Sequence, residues 1–251
     1  MLIDPEYSKS IFLFPHQDDE YFVAPFIKKN KDSCFCFFLT KGEGKGIPES
    51  IRNQESAEVL QKLGVKEEYI HFLPKSLDVA DLDLMNKLET VFEWILQSVH
   101  DNSIHRIFCP AYEGGHPDHD AAFFLGIALG KHFHSEVCHY PTYTGNKLPY
   151  PMYRVMIPYN SKQSIKEALG FRERLFYAFL FRFYPSQWRT WLLLAPEAIV
   201  SLLIRGYFSV SKDSSSFLKI SSDIPYYEKR GLCKRNEFLN SISEFCKEHT
   251  L

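Results

Sequence analysis

The chain has 251 residues, of which 45% are hydrophobic and 24% are charged. This length and composition suit one large α/β domain with a substantial buried core. The formal net charge of -2 gives no electrostatic reason to expect a nucleic-acid partner.

The six cysteines form no C-x-x-C pair. Four of them lie in or beside apolar runs, where buried free thiols are expected: Cys34, Cys36, Cys109 and Cys138. The N-terminus carries acidic residues and no sustained apolar stretch, unlike a signal peptide. We therefore expect a reducing, cytoplasmic location and no disulfide framework.

Short apolar runs alternate with helix-sized segments up to about residue 145. The predicted order is strand 11–14, strand 34–39, helix 48–63, strand 69–73, a helix with one apolar face over 84–99, strand 104–109, helix 121–129 and strand 137–140. This alternation predicts an α/β fold with a Rossmann-like, mainly parallel sheet flanked by helices. Ligands bind such sheets outside the carboxyl ends of the strands.

The pattern changes after Thr144. Helical signals dominate from 162 to about 204 and again over 234–247, while the serine-rich stretch 209–222 predicts a mobile loop. No segment has the composition of a linker. We therefore expect a single domain over 1–251, with a core at about 8–145 and a C-terminal helical elaboration at about 146–251.

The segment 188–204 is strongly apolar, but a proline and a glutamate interrupt it, so it is too short to span a bilayer. One interpretation is core packing or a homo-oligomer interface. Another is contact with a membrane surface, because the segment is flanked by Arg182, Arg189 and Arg205.

Two polar motifs follow predicted strands. Residues 15–20 read Pro-His-Gln-Asp-Asp-Glu directly after the first strand, and 114–120 read Gly-Gly-His-Pro-Asp-His-Asp shortly after strand 104–109. Each motif collects histidine and carboxylate on a strand-to-helix connection. These ligand types suit a borderline divalent metal such as zinc, and three protein ligands with an open position are typical of a catalytic site.

The spacing of the first motif suggests how a metal would be held. His16 and Asp19 are three residues apart, so the first turn of a helix would point both the same way. His119 would supply a third ligand from the end of the neighbouring strand. Asp18 would remain a separate carboxylate, able to accept a proton from a metal-bound water that attacks an amide carbonyl.

The second motif offers two further groups. His116 would act as an acid or as an oxyanion partner, with Asp118 orienting its imidazole. The alternative is structural: acidic pairs before a helix are often caps that complement the helix dipole, and a lone histidine usually has no chemical role. Two such motifs at two strand ends favour catalysis.

The two motifs together resemble the LmbE/PIG-L family of zinc-dependent N-deacetylases. The family's first motif, A-H-P-D-D-E, is matched by residues 15–20, and its second, H-P-D-H, is matched without change by residues 116–119. Gln17 and Pro15 depart from the first motif, but neither change removes a ligand.

The resemblance implies a function and a set of roles. Residues that match His16, Asp19 and His119 hold Zn²⁺, with Fe²⁺ as an alternative metal. The residue that matches Asp18 is the general base, and the residue that matches His116 assists the oxyanion or the leaving amine. The implied substrate is an N-acetylated sugar or glycoconjugate.

Two further residues are candidates for substrate binding. Arg52 is similar to a family arginine near the substrate entrance, although it also fits a surface position on a helix. Some family members carry a tyrosine at the position of Gly114, where it stabilises the oxyanion. Its absence shifts that role to the metal, to His116 or to nearby Tyr112.

Two rival functions follow from the same residues. Two histidines and one carboxylate also form the facial triad of non-haem iron oxygenases, although that chemistry needs neither Asp18 nor His116. A non-catalytic sugar-binding protein on the same scaffold is the other alternative, but such a protein has no need of a general base beside an open metal site.

Overall fold

The computed structural model describes residues 9–42, 46–100, 103–145, 153–157, 164–212 and 224–251. The strands of this part of the chain are β1 (Lys9–Phe14), β2 (Cys34–Phe38), β3 (Ile70–Phe72), β4 (Ile104–Pro110), β5 (Glu136–Tyr140), β6 (Tyr143–Thr144), β7 (Arg154–Val155), β8 (Ser164–Ala168) and β9 (Tyr207–Ser211). The α-helices are α1 (Ala24–Lys29), α2 (Glu49–Leu63), α3 (Leu88–Ser98), α4 (Pro117–His132), α5 (Phe171–Ala178), α6 (Trp188–Arg205), α7 (Tyr226–Lys229) and α8 (Arg235–Glu248).

Seven strands form one sheet in the order β3-β2-β1-β4-β5-β9-β8. The first five strands of the chain pair in parallel, whereas β9 is antiparallel to both of its neighbours. Helices flank the sheet, and α4 packs against β4 and β5. The predicted α/β class with a mainly parallel, Rossmann-like sheet is therefore confirmed.

The sheet has a hydrophobic core on each face. Along β1, Phe12 and Phe14 belong to one buried cluster, and Ile11 and Leu13 belong to the other. This division follows from strand geometry, since successive side chains point to opposite faces. A strand buried on both faces reads as a continuous apolar run, which is why the sequence reveals β1 so clearly.

The two polar motifs lie at adjacent strand ends. β1 pairs in parallel with β4, with Phe12 opposite Phe108, so the carboxyl ends of both strands reach the same edge of the sheet. The first motif begins directly after β1. The second motif lies on the connection from β4 to α4, and Pro117 begins that helix. The fold therefore brings together two motifs that are about 100 residues apart in sequence.

Two expectations for the C-terminal part are wrong in detail. Residues Ser164–Ala168, within the region expected to be helical, form edge strand β8. Strand β9 includes Ser209 and Ser211, which fell in the expected mobile loop. Phe208 and Val210 alternate with these serines, so polar and apolar residues have the period of a strand, and all four are buried. The rest of the predicted loop, 213–222, lies outside the described residues.

Helix α6 contains the apolar segment. Pro196 lies inside it, and Gly206 ends it with a positive φ of 68°. In the part of the chain that the structure describes, no helix is both long and apolar enough to cross a membrane. All six cysteines are free thiols, and the four that were expected to be buried are buried, as is Cys233.

The contact of α4 with β5 yields a stability prediction. A Cβ added at Gly130 would lie 2.3 Å from Cγ2 of Val137 but 3.8 Å from its Cβ. Gly130→Ala should therefore lower the free energy of unfolding by about 1 kcal/mol or more, because overpacking exceeds the gain in helix propensity of about 1 kcal/mol.

The effect of Gly130→Ala on the free energy of unfolding should change sign once the clashing methyl group of Val137 is removed. In a Val137→Ala background, we expect Gly130→Ala to be neutral or to stabilise by up to about 1 kcal/mol. Urea unfolding of the four proteins in this cycle measures the coupling. Additive effects of the two substitutions would contradict the predicted contact.

Candidate functional site

The first motif leaves β1 in a conformation that its own carboxylates hold. Asp18 has a positive φ of 115°, unusual for a residue other than glycine, and its N–H donates to the Glu20 carboxylate at 3.0 Å. The N–H of His16 donates to Asp19 Oδ2 at 2.8 Å. The helix that follows, Asp19–Val23, is a 3₁₀ helix, so His16 lies before the helix and does not share its first turn with Asp19 as the spacing suggested.

Three side chains converge at the two strand ends. His16, Asp19 and His119 are buried, and one ligand atom from each lies within 4.8 Å of the others. Asp19 separates the two imidazoles, with Oδ2 at 3.4 Å from His16 Nδ1 and Oδ1 at 3.1 Å from His119 Nε2. The expected trio is therefore brought together by the fold.

The trio fits a divalent metal on two grounds. Two imidazoles and one carboxylate are a donor set that zinc and similar ions prefer. In addition, His119 Nε2 is buried and makes no hydrogen bond, although it lies beside the Asp19 carboxylate. A buried polar nitrogen without a hydrogen bond is costly, and coordination of a metal would satisfy it.

A second, overlapping trio consists of His16, His116 and Asp118. It is less suited to a metal because both oxygens of Asp118 are already occupied. Oδ2 accepts from the Leu82 N–H at 2.7 Å and lies 3.0 Å from His16 Nε2, and Oδ1 accepts from the Leu84 N–H at 3.2 Å. The first trio is therefore the better candidate.

The Asp118 side chain does not orient the His116 imidazole as expected. Asp118 Oδ2 is 3.8 Å from His116 Nδ1, farther than from His16 Nε2 at 3.0 Å. Instead, the Asp118 N–H donates to His116 Nδ1 at 3.3 Å, so that His116 caps α4. The reason is local geometry, since the first turn of a helix exposes N–H groups to the capping side chain.

A hydrogen-bonded chain behind His119 was not predicted from the sequence. His119 Nδ1 lies 3.0 Å from Thr142 Oγ1, and both the N–H and the hydroxyl of Thr142 donate to Glu113 Oε2, at 2.9 and 3.2 Å. Because the hydroxyl proton goes to Glu113, Thr142 accepts from His119 Nδ1. This fixes the neutral tautomer that leaves a lone pair on Nε2, the nitrogen beside Asp19.

Arg52 holds the first motif from the side of α2. Its guanidinium donates to the carbonyl oxygens of Gly42 at 2.7 Å and Gln17 at 2.6 Å, and it lies 3.6 Å from Asp18 Oδ1. The interpretation of Arg52 as a surface residue is therefore wrong, since only 5% of it is exposed. Its two carbonyl contacts fix the backbone on which Asp18 lies.

The charges of the cluster follow from burial and mutual contact. Burial alone would lower the pKa of His16, but the Asp118 and Asp19 carboxylates outweigh it and raise that pKa well above its usual value. Burial would raise the pKa of Asp19, but His119 and His16 lower it. Burial, reinforced by the charge of His16, lowers the pKa of His116. Asp19 is thus an ionised ligand candidate, and His116 is neutral.

Asp18 differs from Asp19 in its protonation. Burial raises the pKa of Asp18 well above its usual value, although Arg52 opposes the shift. Two adjacent carboxyl groups with pKa values shifted in opposite directions are suited to different roles. Asp19 is suited to be a metal ligand, and Asp18 is suited to accept a proton.

The cluster opens into a cavity of about 590 Å³. Asp18 and His116 line it together with the metal candidates His16 and Asp19. Tyr143 also lines the cavity, and the C-terminal part of the chain contributes much of the wall, including Tyr153, Trp188, Arg189 and Arg230. The site is therefore completed by residues that carry no recognisable motif.

Comparison with known proteins identifies the region that carries both motifs. Residues 11–129, just under half of the chain, match the family model described as PIG-L: GlcNAc-PI de-N-acetylase. A search of curated proteins finds no match.

Solved structures share the fold of this chain at low identity. A deacetylase–bog complex from the teicoplanin biosynthesis pathway is 15% identical with a TM-score of 0.52, covering 73% of this chain and 86% of that one. The A40926 pseudoaglycone deacetylase is 13% identical with a TM-score of 0.51, covering 86% and 89%. A deacetylase–teicoplanin complex is 16% identical with a TM-score of 0.50, covering 72% and 88%.

Tyr112 does not reach the candidate site. Only 1% of it is exposed, and its ring packs against Phe123, Phe124 and Phe238 in the second core cluster. The expected role beside an oxyanion therefore lacks the geometry it needs. Tyr143, whose ring centroid is 5.4 Å from that of His119, is the tyrosine that the fold brings to the cavity.

Glu113 gives the protein a measurable pH dependence of stability. Burial raises the pKa of Glu113 from 4.5 to about 7. The native state therefore retains this proton at pH values where the unfolded chain has lost it, so the contribution to stability is present at low pH and is lost as the pH rises towards 7. Glu113→Gln keeps the acceptor oxygen without titrating.

Between pH 4.5 and 7, the free energy of unfolding of the metal-free wild type should decrease. In Glu113→Gln we expect this decrease to be smaller by roughly 2 kcal/mol. Part of the decrease will remain, because burial also raises the pKa of Glu20 to about 7. Urea unfolding across this range tests the prediction, with exposed Glu58→Gln as the control. Identical slopes for wild type and Glu113→Gln would contradict it.

Proposed function

We propose that the protein is a metal-dependent N-deacetylase that hydrolyses the acetamide of an N-acetylated amino sugar within a sugar conjugate. The observation that carries the proposal is a buried cluster of two histidines and one carboxylate, with Asp18 and His116 beside it in one open cavity. The match of residues 11–129 to a de-N-acetylase family supports the same reaction.

In this proposal His16, Asp19 and His119 are the metal ligands, and Zn²⁺ is the metal, with Fe²⁺ as the alternative. A bound metal would lower the pKa of a coordinated water and polarise the carbonyl oxygen of the substrate. The Glu113–Thr142 chain supports this assignment, because it directs the lone pair of His119 Nε2 towards Asp19.

Asp18 is the proposed general base. It accepts a proton from the attacking water as the water oxygen forms a bond to the acetamide carbon. The same proton then passes to the amine nitrogen as the carbon–nitrogen bond breaks, which yields acetate and a free amino sugar. Arg52 positions Asp18 through its contact with Oδ1 and its hold on the carbonyl of Gln17.

His116 is the proposed partner of the oxyanion and of the departing amine. Its Nδ1 accepts the Asp118 N–H, so the neutral ring carries its proton on Nε2. A neutral imidazole of this tautomer donates a hydrogen bond without first having to be protonated, in agreement with the lowered pKa of His116. Asp118 contributes through its backbone and through His16 rather than through a direct side-chain contact with His116.

The cavity wall supports a sugar-conjugate substrate. Tyr143, Tyr153 and Trp188 offer aromatic faces of the kind that pack against sugar rings, and Arg189 and Arg230 provide charge near the opening. Relatives of the same fold are deacetylases described in complex with teicoplanin or as acting on the A40926 pseudoaglycone. Arg52 remains a proposed substrate contact, since it also lines the cavity.

The remaining proposals concern the chain as a whole. We propose that it works as a single domain, because β9 of the C-terminal part pairs with β5 of the predicted core. We also propose a cytoplasmic location, because all six cysteines are free thiols. A homo-oligomer remains a prediction.

An iron oxygenase and a binding protein without activity are the rival functions. Neither function requires Asp18 and His116 beside the metal ligands. Incubation of the metal-loaded protein with N-acetyl sugar conjugates under anaerobic conditions distinguishes the three. Acetate release without oxygen is expected for the hydrolase, and neither rival would produce it.

The role of Asp18 predicts a selective loss. Asp18→Asn should lower the rate of acetate release by roughly 10²–10⁴-fold, the usual contribution of a general base, while zinc remains bound. Acetate is measured with a panel of N-acetyl sugars and conjugates, and zinc by elemental analysis of the same samples. Asp32→Asn, which changes an exposed aspartate, is the matched control. An Asp18→Asn rate within tenfold of wild type would rule out this role.

A further inference from the structure

Helices α5 and α6 expose an unusual amount of apolar surface. Nine of the thirteen large hydrophobic residues exposed in the described part of the chain lie between positions 171 and 204. Six of them are more than half exposed: Phe171, Trp188, Leu192, Leu193, Val200 and Ile204. We call these six residues the α5–α6 surface. The two helices pack against each other, and large exposed apolar areas mark sites of protein or membrane contact.

The periodicity of α6 explains why this surface is a face and not scattered residues. Leu192, Val200 and Ile204 are spaced at multiples of four, so they lie along one side of the helix. The other side is buried in the first core cluster through Trp191, Leu194 and other residues. The helix is therefore anchored by one apolar side and presents a second apolar side to solvent.

The exposed charges around the α5–α6 surface are mainly positive. Over 171–205, the exposed cations are Arg172, Arg182 and Arg189, against a single exposed acidic residue, Glu173. The Arg189 guanidinium lies 5.3 Å from the Trp188 ring centroid, in a cation–π contact. Arginine and tryptophan beside an apolar face are typical of segments that lie in the interface of an anionic bilayer.

The α5–α6 surface reaches the mouth of the cavity. Trp188, Arg189 and Leu193 line the cavity, although Trp188 and Leu193 are more than half exposed. A flat partner bound to this surface would therefore lie against the cavity opening. It would also contact the positive charge of Arg189.

We propose that the α5–α6 surface docks the protein onto an anionic lipid bilayer, with the mouth of the cavity towards the lipid headgroups. The charge favours a bilayer over a second copy of this chain. In a symmetric dimer the same patch would meet itself and place arginines near arginines, whereas anionic headgroups complement them. Docking does not depend on the proposed catalytic function.

The test is flotation of the zinc-loaded protein with vesicles of phosphatidylcholine, with and without phosphatidylglycerol. The wild type should bind the anionic vesicles, and its partition should fall by about tenfold or more on vesicles without phosphatidylglycerol. Leu192→Ser/Val200→Ser/Ile204→Ser should lower partition into anionic vesicles by at least about tenfold. None of these three residues lines the cavity.

Matched controls separate this surface from general surface hydrophobicity. The triple variant Ile51→Ser/Ile224→Ser/Leu251→Ser removes exposed apolar side chains elsewhere and should bind as the wild type does. Arg172→Gln/Arg182→Gln should weaken binding to anionic vesicles, whereas Lys28→Gln/Lys247→Gln should change it much less. These charge variants keep the proposal testable even if the α6 variant is unstable.

Three results would overturn the proposal. The first is absence of binding to anionic vesicles by the wild type, and the second is equal loss in the α6 variant and its matched control. The third is a concentration-dependent dimer, seen by sedimentation, that the α6 variant abolishes while vesicles fail to bind. That last result would assign the surface to contact between two copies.

The orientation of the docked protein has its own readout. Trp188 is 58% exposed, whereas Trp191 is 2% exposed. Brominated phosphatidylglycerol vesicles should quench part of the tryptophan fluorescence of the wild type, and Trp188→Phe should remove most of that quenching. Unchanged quenching in Trp188→Phe would contradict an orientation with the cavity mouth towards the lipid.

Discussion

The arrangement of the site depends on one buried carboxylate, Asp19, between the imidazoles of His16 and His119. An ionised carboxylate in the interior is costly unless it is paired and hydrogen-bonded. Asp19 meets both conditions, since its two oxygens face the two rings and Oδ2 also accepts the N–H of His16. The pairing of β1 with β4 makes this possible, because it brings the two motifs to one edge of the sheet.

Neighbouring residues fix the orientation of the side chains around Asp19. Thr142 and Glu113 fix the tautomer of His119, and Arg52 fixes the backbone beside Asp18. The C-terminal part then closes the cavity and adds its aromatic and basic residues. The same segment exposes the α5–α6 surface at the cavity opening. Chemistry and access are thus assigned to different parts of the chain, the first to the parallel sheet and the second to the helices that follow.

The sequence predicted the parallel sheet and the convergence of the two motifs because their physical signals are local. Strands buried on both faces appear as apolar runs, and polar clusters at their ends mark the edge where ligands bind. The 3₁₀ geometry after Asp18 was missed, since spacing alone does not distinguish it from an α-helical turn. Strand β9 was missed because its serines suggested a loop, although Phe208 and Val210 alternate with them as in a strand that pairs with β5 and β8.

Long-range packing accounts for the other differences. The burial of Tyr112 depends on Phe238, which is more than a hundred residues away in sequence. The contact of Asp118 with His16, and not with His116, likewise depends on how α4 begins against the first motif. The support of His119 by Thr142 and Glu113 required the ends of β4 and β5 to be neighbours. No pattern within one segment carries this information.

The most direct test of the proposed metal centre compares zinc affinity in His119→Ala and His116→Ala by competition with a chromophoric chelator. The two histidines are three residues apart on the same motif, so each variant is a control for the other. The account predicts that His119→Ala weakens zinc binding by more than the roughly 10–100-fold typical of a supporting residue, and that His116→Ala weakens it by no more than about tenfold. A larger loss in His116→Ala would contradict the account and indicate the trio of His16, His116 and Asp118 as the metal site.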